Sequence, residues 1–354
     1  MMQAESIRRR TLDAIRRRAE GFVPFEFNLC PSLLAEFTRR TGESDYRAFF
    51  SMPFRWVSAG PQTRDVDFTR YFPDPESISH IDAWGVGHKA GDYAHFERMI
   101  PPMAGFTSVD EFERYPYPDP DVDFDWKKTT ERISGIKEND LVSVAGMAVT
   151  IFEIAWYLRG MDTFLVDLMT EPDLAEYHMD RITRIRTACA ARYAEAGVDV
   201  LHLGDDVATQ RGMMISPEMW RKFLKPRLAS VIDAARNSNP SIIIDYHSDG
   251  DITEIVADLV EIGVDQLNPI QPECMDPYAI KREFGDRLSL RGAVGTQTTM
   301  PFGSPDEVEF TCRRLISELG RGGGFVLAPT HVLEPEVPWE NIETLVRVAL
   351  EHNT

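Results

Sequence analysis

The stretch IIIDYHSDG, residues 242–250, passes from a run of isoleucines to Asp245, His247 and Asp249, groups that hold protons or metals. His247 and Asp249 share strand parity, so both side chains project to one side if the strand stays extended. Other apolar runs end the same way. Asp205 and Asp206 close LHLGDD, Gln271 and Cys274 lie in NPIQPEC, Gln297 ends AVGTQ, His331 ends LAPTH, and Glu26 and Asn28 sit in PFEFN. Two imidazoles with a carboxylate or thiolate suit zinc or a related divalent ion, which makes His247, Asp249 and His331 candidate ligands and Cys274 a fourth. A histidine at a strand end serves equally well as a hydrogen-bonding group or a general acid. If Asp205 and Asp206 both face one pocket, their repulsion raises one pKa and prepares that carboxyl for acid–base work. The competing reading has one of them binding loop amides. Gln271 and Gln297 complete the candidate catalytic set.

These groups need elements that bring strand ends together. The second half of the chain alternates short apolar runs with longer amphipathic ones. LVSVAG, VDVLHLGDD, SIIIDYHSD, VDQLNPIQP, LSLRGAVG and FVLAPTH read as strands separated by helices, which is the pattern of right-handed βαβ units in a parallel sheet. Ser216-Pro217 and Ser304-Pro305 mark helix starts, and Ser304 with Glu307, like Asp251 with Glu254, has capping-box spacing. FVPFEFNLC reads as a first strand. Residues 50–125, rich in proline, aromatic and acidic residues, read as an excursion or lid packed on the rest of a single domain spanning 1–354. GRGGG at 320–324 precedes a strand instead of opening a helix, so it reads as a turn and not as a phosphate loop.

Composition narrows the function. At 354 residues the chain is ordinary for one α/β barrel, and 43% hydrophobic content is that of a globular protein. A formal charge of −19 argues against nucleic-acid binding, which needs a positive field. No apolar run is long enough to span a bilayer. The opening MMQAESIRRRTLDAIRRRAEG reads as an amphipathic helix and not as a targeting peptide. Four scattered cysteines, at 30, 189, 274 and 312, fit a reducing cytoplasm.

Four segments carry a family resemblance: GDDVATQRGMMISPEMWRKFLKP, YHSDGDITEIVADLVEIGVDQLNPIQP, MDPYAIKREFGDRLSLRGAVGTQTTMPFGSP and GGGFVLAPTHVLEPEVPWENI. Together they resemble the uroporphyrinogen decarboxylase superfamily, which includes the methylcobamide:thiol methyltransferases. The resemblance implies a (β/α)8 barrel. True decarboxylases carry an arginine motif, R-x-x-G-R, near the first strand, where this chain has PFEFNLCPS without arginine. The methyltransferase branch holds zinc by H-x-C on one strand and a late cysteine. The matching positions here are His247, Asp249 and His331, so both thiolates are replaced by harder donors. That change keeps zinc, admits another divalent metal, or removes the metal. The resemblance therefore implies a metal-assisted methyltransferase working with a corrinoid protein. The alternatives are a metal-free lyase using Asp205 or Asp206, and a non-catalytic barrel that binds a tetrapyrrole-like or corrinoid ligand.

Overall fold

The computed structural model describes residues 6–60, 64–91 and 97–354. Twelve strands lie among them: β1 (Phe54–Val57), β2 (His80–Ile81), β3 (Gly87–Ala90), β4 (Glu97–Ile100), β5 (Val142–Met147), β6 (Val200–Leu203), β7 (Ala208–Thr209), β8 (Gly212–Met213), β9 (Ile243–His247), β10 (Gln266–Ile270), β11 (Ser289–Val294) and β12 (Phe325–Pro329). Seven form one parallel sheet in the order β1-β5-β6-β9-β10-β11-β12. The chain around Phe25 runs parallel to β12, where the amide of Glu26 donates to Leu327 O at 3.2 Å and that of Leu327 to Pro24 O at 2.9 Å. This segment fills the eighth position of a (β/α)8 barrel. The first strand expected in FVPFEFNLC is thus present as a pairing segment more than as a regular strand.

Inside the barrel the side chains form layers. Ile243, Asp245 and His247 alternate with Ile242, Ile244 and Tyr246, which pack outward into the main hydrophobic core. Phe54, Val142, Val144, Val200, Ile243 and Val326 make an apolar floor, closed from below by Leu12 and Ile15 of the helix Ile7–Ile15. Above that floor the inward positions turn polar. Apolar alternation on both faces is the mark of strands covered by helices outside and filled by side chains within.

The helix starts follow local chemistry. Ser216 Oγ accepts from Met219 N at 3.2 Å, and Ser304 and Glu307 form the expected capping box. Asp251 does not pair with Glu254 in a box. Its carboxylate accepts from Thr253 N and Oγ1, and a short 3-10 turn, Thr253–Ile255, leads into the helix Val256–Glu261. GRGGG forms the turn between the helix Pro305–Leu319 and β12.

Within the stretch read as an excursion, Phe54–Val57 is a barrel strand, so that stretch is not an insertion throughout. Beyond it, β2, β3 and β4 make a small antiparallel sheet. The aromatic residues Phe68, Phe112, Tyr115 and Tyr117 are buried against the barrel's helices. The Tyr117 hydroxyl meets His178 Nδ1 at 3.0 Å, and Arg159 Nη1 donates to Met103 O at 2.7 Å. Burial lowers His178 to about 4, so it is a neutral packing group. Among the described residues, no helix is long and apolar enough to cross a membrane.

Candidate active site at the barrel mouth

The upper end of β9 delivers His247 and, two residues on, Asp249. Gly250 turns the chain at once: its φ is +85°, and an added Cβ would lie 2.5 Å from Thr209 O. Glycine is the residue that tolerates this conformation and approach. The end of β6 delivers Asp205 and Asp206 through Gly204, where a Cβ would fall 1.6 Å from Ala148 O. The first approach sets the loop after β9 against the chain after β6, and the second sets the chain after β6 against that after β5.

Asp206, His247 and Asp249 come together, each half-buried, with one ligand atom apiece mutually within 4.8 Å. His247 Nε2 lies 3.6 Å from Asp206 Oδ1, which also accepts from Asp249 N at 2.7 Å. The other imidazole nitrogen is engaged. His247 Nδ1 sits 2.8 Å from Asn268 Oδ1, while Asn268 Nδ2 donates to Arg291 O at 3.2 Å. That second bond fixes which end of the amide faces the ring, so Nδ1–H donates and the Nε2 lone pair points to the carboxylates. This is the orienting contact found behind metal-bound histidines.

The carboxylates are poorly compensated. Among the described residues, no lysine or arginine pairs with Asp206 or Asp249. Burial pushes the Asp249 carboxyl above its usual range; His247 and His331 oppose the shift and Asp206 adds to it. An imidazole lone pair facing two close carboxylates is a donor set for a cation.

The remaining candidates divide. His331, Gln271 and Gln297 line, with Asp249, a cavity of about 540 Å³ that also touches Thr209 on β7. His331 lies outside the close trio, on the cavity wall. Gln271 is buried and Oε1 accepts from Gly250 N at 3.2 Å, so it positions the Asp249 loop. Gln297 is exposed on the rim. Cys274 faces a different cavity, among Pro272, Met275 and Tyr278, and burial pushes its thiol up. It is not assembled with the trio, because the turn after β10 carries it away. Among the described residues, none from 50–125 lines the His331 cavity.

Asp205 does not share the pocket with Asp206. It is buried, and its carboxylate accepts from the amides of Thr150, Ile151, Phe152 and Glu153 at 2.7–3.2 Å. Burial raises its pKa while those amides pull it down. Its oxygens are taken up in holding the start of the helix Phe152–Arg159, so the acid–base role considered for it gives way to a structural one.

Two groups were missed in the sequence. Glu153 is buried beside this loop, where Tyr157 Oη donates to Oε1 at 2.9 Å and Asp206 N to Oε2 at 3.0 Å. Burial, with Asp205 and Asp206 nearby, pushes it up to about 8. A glutamate in the apolar run TIFEIAWYL was its available signal. Below the trio lies a buried charge network. Arg291 donates to Glu26 and Asp245, and His202 Nδ1 is 2.6 Å from Asp245 Oδ2. Trp56 packs edge-on to His202 at 5.0 Å and under Arg291. Burial would raise Asp245, but Arg291 and His202 outweigh it and hold the carboxyl below its ordinary value. Glu26, grouped with the strand-end residues in the sequence, belongs to this interior network.

A family model described as uroporphyrinogen decarboxylase (URO-D) matches residues 91–352. The methylcobamide:CoM methyltransferase MtaA of Methanosarcina barkeri is 29% identical over 213 residues, 60% of this chain and 59% of that protein. The chain thus spans about three-fifths of that relative's length. A uroporphyrinogen decarboxylase of Chlorobaculum tepidum is 24% identical over 268 residues, 72% of each chain. Among solved structures, a methyltransferase from Methanosarcina mazei superposes with a TM-score of 0.69 over 99% of both chains at 20% identity. The chain belongs to the uroporphyrinogen decarboxylase family.

Proposed function

We propose that this member of the uroporphyrinogen decarboxylase family is a methyltransferase that exchanges a methyl group between a small molecule and a corrinoid carried by a partner protein. Asp206, His247 and Asp249 would hold a divalent metal, zinc in the first instance, with His331 on the cavity wall as a further donor. The observation that carries this reading is the His247 Nε2 lone pair, fixed by Asn268 and aimed at two uncompensated carboxylates. The donor set fits a divalent ion. It is harder than a thiolate set and suits zinc or a neighbouring first-row metal. The relatives named as methylcobamide methyltransferases support the reaction class.

Zinc bound there would lower the pKa of a thiol or similar acceptor, giving a nucleophile at neutral pH. The chain's own residues would do the rest. Gln271 holds the Asp249 loop through Gly250 N. Thr296, Thr330, Gln297 and His331 surround a space of about 540 Å³, enough for a small acceptor or donor. Glu153, its pKa raised by burial and by the nearby Asp205 and Asp206, lies against the Asp206 loop. The corrinoid would approach from the open mouth, where the C-terminal strand ends of such barrels meet their substrates.

The test is direct. Zinc-loaded protein is mixed with methylcobalamin and a small thiol, and loss of the methylcobalamin absorbance is followed. The expected result is zinc-dependent demethylation, reduced by about a hundredfold or more in His247→Ala. Metal-independent decarboxylation of a small carboxylic acid, unaffected by His247→Ala, would overturn the reading.

A further inference from the structure

We propose a second divalent-metal site on the small sheet outside the barrel, formed by His80, His88 and Glu97. Each comes from a different strand: His80 from β2, His88 from central β3 and Glu97 from β4. The register puts His80 opposite His88 and Ala90 opposite Glu97. Directly opposed residues share a face, as do residues two apart on a strand, so all three project from the same face. Lys89 and Arg98, opposite one another in the same register, project from the other face. Imidazoles and carboxylate are thus gathered on one side and the cationic side chains kept to the other.

The distances are those of a ligand set. His88 Nδ1 is 3.1 Å from Glu97 Oε2, and His80 Nδ1 is 3.7 Å from Glu97 Oε1. The two rings lie 4.4 Å apart at 5°. One ligand atom from each residue lies within 4.8 Å of the others. A carboxylate also orients the central imidazole. Asp82 Oδ2 lies 3.3 Å from His88 Nε2, and its Oδ1 is held by the amides of Trp84 and Val86 at 2.8 and 3.0 Å. With Nε2–H donating to Asp82, His88 presents its Nδ1 lone pair to Glu97 and His80. Nδ1 and the carboxylate then need a proton or a metal ion shared between them, and the nearby His80 nitrogen supplies the further donor that a metal ion uses. The carboxylate–histidine arrangement supplies the outer partner that metal-bound imidazoles use.

Two imidazoles and one carboxylate select a borderline divalent ion such as zinc over calcium or magnesium. The site is open to solvent, with His80 54% and Glu97 42% exposed, so an ion can enter and water can complete its coordination. The bound ion would tie both outer strands of the sheet to the central one.

Zinc binding by equilibrium dialysis tests this site in a His247→Ala background, which removes the proposed barrel site from the count. The expected result is one zinc equivalent that His80→Ala or Glu97→Gln abolishes and Asp82→Asn weakens by about 10- to 100-fold. Zinc should also raise the Tm of the His247→Ala protein, and this rise should vanish with His80→Ala. Equal zinc uptake in the parent, His80→Ala and Glu97→Gln proteins would overturn the site, as would no uptake by the parent. Failure of the barrel site would appear separately, as equal zinc counts in wild type and His247→Ala.

Discussion

Asp245 and His247 stand two residues apart on the same strand and the same inward face, yet their surroundings differ in kind. Around Asp245, charge meets opposite charge: Arg291 donates to it and to Glu26, and His202 lies 2.6 Å away. Around His247, one imidazole nitrogen is pinned and the other faces the Asp206 and Asp249 carboxylates, which no lysine or arginine among the described residues pairs with. The lower group is a closed charge network, and the upper one is the proposed metal site. The general rule is that a buried ion pair stabilises little overall, but removing one partner leaves the other uncompensated. Groups kept unsatisfied at a cavity mouth are retained for binding, and their removal tends to leave stability unchanged or improved.

The comparison breaks if the two layers respond alike. The largest expected effect is at the mouth. His247→Ala should lose metal and reduce methyl transfer by about a hundredfold or more, while the Tm of the metal-free protein stays at or above that of wild type. The next is in the interior. Arg291→Met should cost about 3–5 kcal/mol in urea unfolding, because Glu26 and Asp245 remain buried without their guanidinium. Asp205→Ala should cost about 2 kcal/mol by freeing the amides at the start of the helix Phe152–Arg159, with bound metal retained. A smaller effect separates Glu153 from both layers. Its folded pKa, about 8, lies above that of the unfolded chain, so its contribution to stability is full below about pH 4.5 and is lost as pH rises through 8. Glu153→Gln should remove that slope from the stability–pH curve, measured as the difference from wild type. Cys274→Ser, the smallest change, should leave metal content as it is.

Much of the barrel was legible because strands and helices alternate in hydrophobic period from Val142 onward, and serine-proline starts mark two of the helices. The strand Phe54–Val57 was hidden: it has four residues, two of them Arg55 and Trp56, in a region whose prolines and aromatics suggest a lid. His247 and Asp249 were visible as neighbours in parity. Asp206 was visible as a carboxylate, but its place beside His247 depends on Gly250 letting the loop after β9 approach Ala208 and Thr209, which no local pattern states. Asp205 and Asp206 are indistinguishable in sequence, yet adjacent residues leaving a strand diverge, and one turned to the amides that follow the neighbouring strand β5. Cys274 failed for a related reason, since its turn points to another cavity. The interior network was written in plain view as LHL, IIID and LSLRG, but polar residues inside strands reveal a partner only when the barrel's register is known.

The most direct test of the central claim is the number of zinc ions bound per chain by wild type and by His247→Ala, measured by mass spectrometry after zinc loading and desalting. The account predicts that wild type holds one ion more than the variant, while the metal-free forms of both melt at similar temperatures. Equal zinc counts in two folded proteins would contradict it, and the half-buried trio at the barrel mouth would then not be a metal site.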